Sequence, residues 1–283
     1  MPELLTTARK KRIGAVFTGI LLLAIALAQL FPLVWIFLYS IQTSGDVFGK
    51  ELIRWPSDPQ WRNYARAWVD GRILRYFTNS VVVVFSSVAF TTVFAFLLAY
   101  ATTRMRWKGR HLIYAFVMLG MVIPIHTTLL PNFMWFKNFH LINTRLGVII
   151  PYVAFSMSFS VLVLSGLLAS IPTSMEESAF MDGAKMPVVL ARIIAPMAKT
   201  GLVTVGVMAF LNGWNEFIMA NTYLASEDKR TLPFSIIRFE GQYRSDYAVQ
   251  FAVMVIVAMI PVVLYFFFSR WVMAGVTAGA VKE

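Results

Sequence analysis

One acidic side chain lies inside an apolar stretch of this sequence, and its neighbours are also polar or aromatic. Glu216 belongs to the segment FLNGWNEF, together with Asn212, Trp214 and Asn215. Carboxylate and amide groups can hydrogen-bond the hydroxyls of a solute, and an indole can stack on the apolar face of a sugar ring. An ionisable residue at membrane depth is by default a candidate functional residue. We therefore predict that this segment contributes to a pathway for a polar solute.

Helical spacing divides this segment. Asn212, Asn215 and Glu216 stand at i, i+3 and i+4 and would share one helix face, whereas Trp214 points elsewhere. The alternative is a structural cluster, in which Asn–Asn or Asn–Glu hydrogen bonds join two helices. Further candidates for the pathway come from other apolar stretches: Tyr152, Phe155, Ser156, Ser158 and His126.

A second polar segment, EESAFMDGAKMPVVLARIIAP, interrupts the apolar sequence between positions 176 and 196. Thr173 with Glu176, or Ser174 with Glu177, matches a capping box and predicts a helix start. Gly183 predicts the end of that helix, and a proline at position 187 suits the first helical position of a second one. Small, acidic and methionine side chains offer a surface that another protein could approach closely. The alternative is an ordinary amphipathic surface helix.

The composition indicates that both segments belong to a membrane protein. Of 283 residues, 58% are hydrophobic and 14% are charged, against about 25% charged residues in soluble domains. A bilayer-spanning helix needs roughly 20 apolar residues. Six stretches qualify or nearly do: 13–41, 77–103, 112–136, 146–171, 200–226 and 247–269. Pro124, His126 and Pro131 are expected to break the third. The predicted fold class is all-α, a polytopic membrane protein with six transmembrane helices and a cytoplasmic loop.

Basic clusters predict the orientation. Residues 9–12 and the connection 104–110 carry basic residues without acidic ones, directly beside apolar stretches. Such clusters are typical of the cytoplasmic side. We predict a multi-pass protein of the cell membrane with both termini in the cytoplasm, and expect the first stretch to be retained as a span. The chain then divides into an N-terminal segment 1–12, a six-helix domain 13–270 with a cytoplasmic loop 172–199, and a tail 271–283.

Several other classes of function lack their signatures. The net charge is +11, but its basic residues lie in short tracts beside apolar runs, so no nucleic-acid partner is expected. Cysteine is absent, which excludes disulfides and sulfur metal sites, and no metal site is predicted. The sequence contains no G-x-x-x-x-G-K-[ST], H-E-x-x-H or G-x-S-x-G. No cofactor on this chain and no enzymatic activity are therefore expected.

The second polar segment resembles the EAA loop of ABC-importer permeases. That family's pattern is E-A-A-x3-G-x9-I-x-L-P. The sequence has Glu177-Ser178-Ala179, then Gly183, Ile193 and Ala195-Pro196. It departs from the pattern at Ser178 and Ala195, where both replacements are small. Further segments resemble the carbohydrate branch of the family: NYARAW, YFTNS, IPIHTTLLPNFMWF, LINTRLGVIIPY and FLNGWNEF. The ending GVTAGAVKE resembles that of the maltose-type second permease subunit.

The resemblance implies a permease subunit of an ATP-driven importer for a sugar or oligosaccharide. Such a subunit pairs with a second, related permease and docks on two ATPase subunits, which bind ATP and Mg²⁺. An extracytoplasmic binding protein delivers the solute. The resemblance assigns ATPase coupling to Glu176, Glu177, Ser178, Ala179, Asp182, Gly183 and Ala184, and in the tail to Thr277, Gly279 and Lys282. The alternatives are an importer permease for a polyol or glycerol phosphate and, in another class, a stand-alone secondary transporter or channel.

Overall fold

A computed structural model describes residues 2–48, 55–241 and 245–280 of the chain. Within these ranges the regular elements are all helical, which confirms the all-α prediction for the described residues. The α-helices are α1 (Pro2–Ser40), α2 (Arg62–Asp70), α3 (Ile73–Thr103), α4 (Arg110–Leu119), α5 (Leu129–Asn138), α6 (Leu146–Ser170), α7 (Ser174–Met181), α8 (Met186–Val189), α9 (Ala195–Met197), α10 (Lys199–Asn215), α11 (Ile218–Tyr223), α12 (Phe234–Ile237) and α13 (Tyr247–Ala280). Short 3₁₀ helices cover Asp46–Phe48 and Ile125–Thr128, and a π-helix covers Leu190–Ile194.

Four helical segments are long and apolar enough to cross a membrane: Gly14–Ser40, Ile73–Thr103, Leu146–Ser170 and Tyr247–Phe267. Two further helices, Met186–Met197 and Lys199–Asn215, meet at an angle of 81°. Taken together as one bent span, they are also long and apolar enough to cross a membrane. The chain is therefore a helical protein with several candidate membrane spans. A total of six spans stays a prediction, because the other two predicted stretches, 112–136 and 200–226, are each divided into shorter helices.

The third predicted stretch is divided, as its prolines predict. α4 ends at Leu119, Pro124 is extended with φ −64° and ψ 126°, and the chain resumes as a 3₁₀ turn before α5. Proline lacks the backbone N–H that a continuous helix needs and disfavours helical geometry in the residue before it.

The fifth predicted stretch is also divided, and here the prediction of one helix over 200–226 is wrong. α10 ends at Asn215, Glu216 is extended, and α11 starts at Ile218. The predicted boundary of the N-terminal segment at residue 12 is not a helix boundary, because α1 is continuous from Pro2. Similarly, α13 remains helical to Ala280.

The chain forms two compact units, Met1–Arg72 with Ile236–Ala258, and Ile73–Ser235 with Met259–Glu283. In the first unit, the buried Asn63 of α2 donates to the backbone oxygens of Ser40 and Gln42, at 2.9 Å each. Arg66 and Asp246 form an ion pair at 2.6 Å. Burial by itself would raise the pKa of Asp246, but hydrogen bonds from Ser44 and Arg66 together hold that pKa below its usual value.

In the second unit, α3 packs against α6 and α10. α4 also packs against α6, and there close approach depends on a small residue: an added Cβ at Gly120, directly after α4, would lie 2.4 Å from the Ser158 Oγ of α6. One apolar cluster of this unit includes Phe96, Leu164 and Ile194 and surrounds the ends of α3 and α6 next to α7. The core of this unit thus positions both polar segments singled out in the sequence.

Candidate functional site: an exposed short helix and a polar cavity

The short helix α7 starts where the sequence predicts, but by different contacts. Thr173 is the N-cap residue, yet no side chain caps the helix. The predicted capping box is therefore not formed. Glu176 points inward instead, with 7% of its surface exposed, and accepts a hydrogen bond of 2.8 Å from the Tyr100 hydroxyl. The start of α7 is consequently fixed by packing against α3 rather than by its own cap.

The end of α7 follows from Gly183. This residue has φ +80°, a left-handed conformation that glycine adopts without a steric penalty. Its N–H donates to the oxygen of Phe180 at 3.0 Å, and the N–H of Ala184 donates to the oxygen of Ala179 at 2.9 Å. These two bonds form a Schellman motif, which satisfies carbonyls that the helix end leaves free. The prediction that Gly183 ends the helix is confirmed.

The residues predicted to contact an ATPase divide into two faces of this segment. Glu177, Ser178, Asp182 and Gly183 are exposed, whereas Glu176 and Ala179 are buried and Ala184 is half-buried. The outer face also carries exposed apolar side chains: Met175, Phe180 and Met181. Met181 is 88% exposed. Of the tail residues, Thr277 and Gly279 are described only as backbone of α13, and Lys282 lies outside the described residues.

Apart from Glu176, the inner face of this segment is apolar. Ala179, Val189, Ile194 and Ala198 belong to the buried cluster at the ends of α3 and α6. The chain leaves this cluster through the π-helix Leu190–Ile194 and then bends by 81° into α10. α7 is therefore anchored on one side and exposed on the other.

A polar cavity of about 320 Å³ lies in the second unit, on the other polar segment. Its lining combines residues of α6 and α10 with the broken stretch around the 3₁₀ turn: Ile125, His126, Tyr152, Phe155, Ser156, Asn212, Gly213 and Glu216. A neighbouring cavity of about 390 Å³ shares His126, Asn212 and Glu216 with it and adds Asn215. The structure thus places Tyr152, Asn212 and Glu216 at the first cavity, and Asn212, Asn215 and Glu216 at the second.

Glu216 occupies the helix break rather than a helix face. Its carboxylate accepts hydrogen bonds from the backbone N–H groups of Met219 and Ala220, at 2.9 and 3.2 Å. The Tyr152 hydroxyl donates to the same carboxylate at 2.7 Å. Negative charge at the start of α11 is favourable because free N–H groups point toward it. Glu216 therefore holds the break in place and also exposes a polar edge to the cavity.

Trp214 lies behind the cavity and does not line it. Its side chain is 2% exposed and stacks on Phe210 at 5.2 Å, with Phe77 edge-on at 5.9 Å. Its indole N–H has no hydrogen-bond acceptor among the described residues. The expectation that Trp214 points away from the polar face agrees with this position, and its packing partners lie within the same chain.

Tyr100 and Arg104 are polar residues at α7 that the sequence did not single out for this role. Arg104 appeared only as part of a basic cluster beside the membrane. No local pattern pairs it with Glu176, because the two residues are distant in sequence and meet only in the folded chain. A charged residue directly after a predicted span was the one available signal.

These observations define a class: a polytopic helical membrane protein with a polar cavity between broken helices and a short helix presented outside the bundle. A model of the family "Binding-protein-dependent transport system inner membrane component" matches residues 91–277. The chain belongs to this family, and its resemblance to carbohydrate-type ABC-importer permeases is thereby confirmed.

Similar proteins agree with this assignment. The chain is 31% identical over 278 residues to the diacetylchitobiose uptake system permease protein NgcG of Streptomyces coelicolor, covering 97% of this chain and 91% of that protein. It is 32% identical over 254 residues to the sulfoquinovosyl glycerol transport system permease protein SmoH of Agrobacterium fabrum, covering 89% of each. Its fold matches a chain of a bacterial ABC transporter involved in the import of the acidic polysaccharide alginate, with a TM-score of 0.79, 24% identity and coverage of 93% of this chain and 97% of that one.

Proposed function

We propose that this chain is a permease subunit of an ATP-driven importer for a sugar or oligosaccharide. Family membership supports the permease role. Its relatives in diacetylchitobiose uptake and in sulfoquinovosyl glycerol transport support a glycoside as the solute. An importer for a polyol or glycerol phosphate is the nearest alternative.

The proposed topology has six spans. α1, α3, α6 and α13 contribute four. We assign the fifth to the broken pair of α4 and α5 and the sixth to α10 with α11. Both termini and the loop 172–199 then lie in the cytoplasm, while residues 42–72 and 227–246 lie outside. Broken helices fit this arrangement because irregular backbone at membrane depth is tolerated where it lines a cavity.

The single observation that carries the proposed coupling role is the two-sided character of α7. Its inner face is held by Glu176 and Ala179, and its outer face exposes Glu177, Ser178 and Asp182 beside Met181. Acidic and flexible apolar side chains together suit a basic-rimmed apolar groove. We propose that this face docks on an ATPase subunit, and that Gly183 and Ala184 shape its end.

The remaining components follow from this role. A second, related permease completes the membrane domain. Two ATPase subunits bind and hydrolyse ATP with Mg²⁺, and an extracytoplasmic binding protein delivers the solute. This chain is then a non-catalytic subunit. Its docking helix receives the movement that ATP produces in the ATPase pair.

The polar cavity is the proposed contribution to the solute pathway. Asn212, Asn215 and Glu216 offer amide and carboxylate groups to hydroxyls, and Tyr152 fixes the Glu216 carboxylate. Trp214 supports this wall from behind. Hydrogen-bonding groups at the edge of an otherwise apolar cavity set the orientation of a bound solute.

Co-purification tests the docking assignment. The chain is produced with the permease and ATPase encoded by neighbouring genes, and the ATPase retained in detergent is measured. Ser178→Trp places a large side chain on the exposed face of α7 and is expected to release the ATPase. Ser57→Trp, the same exchange at an exposed position of the proposed outer side, is the control and should retain it. Equal retention by both variants would contradict docking on α7.

A further inference from the structure

A buried polar cluster joins α7 to the spans beneath it. Tyr100, near the end of α3, donates to one carboxylate oxygen of Glu176 at 2.8 Å. Arg104, directly after α3, has its Nε 3.5 Å from the other oxygen. The Arg104 and Glu176 side chains are each 9% exposed. Among the described residues neither of these two atoms makes a hydrogen bond, to the other or elsewhere, so their contact is a buried ion pair alone.

The same arginine also holds the end of α6. Its Nη2 donates to the backbone oxygens of Leu168 and Ile171. These carbonyls belong to the last turn of α6 and its end, where a helix leaves acceptors unsatisfied and where a cation is favourable. One guanidinium therefore connects three elements: α3 through its own backbone, α6 through two carbonyls and α7 through Glu176.

Stability alone is a weak reason for this cluster. The cost of removing two charges from water offsets much of their attraction, so a buried ion pair contributes little net stability. Directional polar contacts can define the position of one helix on another, which apolar contacts do less strictly. The apolar cluster around Ala179 stabilises the contact of α7 with its neighbours, but the hydrophobic effect has no direction of its own. Hydrogen bonds and an ion pair define one position.

We propose that the Arg104–Glu176 pair, supported by Tyr100, transmits displacement of α7 into α3 and α6. This inference rests on the proposed function, in which an ATPase moves α7. The two adjacent glutamates then have separate tasks. Glu177 faces the partner, while Glu176 is a positioning residue. Its contacts with Arg104 and Tyr100, here called the tie, connect the docking helix α7 to the spans. α6 in turn carries Tyr152 and Ser156 of the polar cavity.

A thiol placed in the cavity reports this transmission without a need to know the solute. The chain has no cysteine, so Ser156→Cys gives it a single thiol. The complex with its second permease, ATPase and binding protein is labelled with a thiol reagent, with and without ATP and vanadate, and the peptide containing position 156 is quantified. The labelling rate is expected to change at least about five-fold on ATP trapping, the lower end of ordinary coupling between sites.

Glu176→Gln in the Ser156→Cys background tests the tie. This variant keeps the size of the side chain and removes its charge. We expect the ATPase to remain bound while the ATP-dependent change in labelling is lost. Arg104→Gln should have the same effect, and the double variant should be no worse than either single one, because both remove the same interaction. Thr102→Val is the matched control. Among the described residues its buried hydroxyl donates only to carbonyls of its own helix, those of Leu98 and Ala99, so the change should persist.

The outcomes separate the tie from the proposed function. A full ATP-dependent change in Glu176→Gln, with the ATPase bound, would overturn the tie and leave the docking assignment intact. Failure of the unmodified chain to retain any ATPase would overturn both. If Glu176→Gln does not accumulate, Tyr100→Phe carries the test. It deletes one hydroxyl, and the tie requires it to reduce the labelling change, so an undiminished change would again contradict it.

Discussion

Replacing Gly183 by alanine isolates the conformational contribution of one residue at the end of the docking helix. With φ +80°, this position lies in the left-handed region, and an added Cβ would meet no atom within 4 Å. The cost of substitution is therefore conformational rather than steric. For a residue other than glycine it is about 1–2 kcal/mol, which corresponds to a roughly five- to thirty-fold shift in a local equilibrium.

Hydrogen exchange measures this shift directly. The N–H groups of Gly183 and Ala184 donate to the oxygens of Phe180 and Ala179, and their exchange reports opening of the helix end. In Gly183→Ala we expect exchange at these two amides to rise by about five- to thirty-fold. Gly183→Asn should raise it less, although asparagine is larger, because asparagine adopts the left-handed conformation more readily.

A glycine within a regular helix supplies the control. Gly166 lies in α6, is exposed and also has no atom within 4 Å of an added Cβ, but its φ is not positive. Gly166→Ala should therefore leave its own helix equally or better protected, since alanine has the higher helix propensity. Unchanged exchange in Gly183→Ala, or faster exchange in Gly183→Asn than in Gly183→Ala, would refute the conformational account.

Three further predictions concern other contacts, each measured by thermal unfolding of the purified chain. Tyr152→Phe deletes the 2.7 Å hydrogen bond to Glu216 and should cost about 1.5–3 kcal/mol, as for bonds to charged groups; unaltered stability would argue against a fixed Glu216. Asp246 has a lowered pKa in the folded chain, so its contribution is present above about pH 4 and is lost as the pH falls below that value. Asp246→Asn should flatten the acid loss of stability, and an unchanged acid profile would contradict this. Gly120→Ala places a Cβ 2.4 Å from the Ser158 hydroxyl and should cost about 1–3 kcal/mol. Adding Ser158→Ala should restore part of this loss, since it removes the clash together with the Ser158 hydrogen bond to the Val117 oxygen; no rescue at all would contradict a clash with this hydroxyl.

The sequence predicted the end of α7 well, and the start of α8 to within one residue, because these two boundaries depend on local chemistry. A glycine that ends a helix and a proline that starts one act within a single turn. Gly183 therefore has the role that its residue type predicts, and Pro187 lies in the first turn of α8, one residue after the predicted first position. The positions of broken helices near Pro124 were predictable for the same reason.

The same segment shows where local reasoning ends. Glu176 and Glu177 are identical in type and adjacent in sequence, yet one is buried and the other exposed. Their difference is set by Tyr100 and Arg104, which approach only after α3 and α6 have packed. Glu176 does not form the predicted capping box. Its carboxylate is buried instead, where it accepts a hydrogen bond from the Tyr100 hydroxyl and lies beside the Arg104 guanidinium.

Glu216 illustrates a second limit. The apolar sequence around it contains no proline, and helical periodicity placed it on a face with Asn212 and Asn215. The chain instead breaks at Glu216, since its carboxylate accepts from the N–H groups that start α11. A side chain that satisfies backbone groups can stabilise a break that no helix-breaking residue announces. The three residues still meet at the cavity, but by a different geometry.

Uptake into proteoliposomes tests the central claim most directly. Vesicles containing this chain, its second permease and the ATPase are supplied with the binding protein outside, and with the sugar that this binding protein retains in a thermal-shift screen. The account predicts that the sugar accumulates against its concentration gradient only when ATP is present in the vesicle interior, on the membrane side that carries α7. It predicts no uptake when the ATPase is omitted. Solute uptake by this chain alone, without ATPase or ATP, would contradict the account and favour a stand-alone transporter or channel.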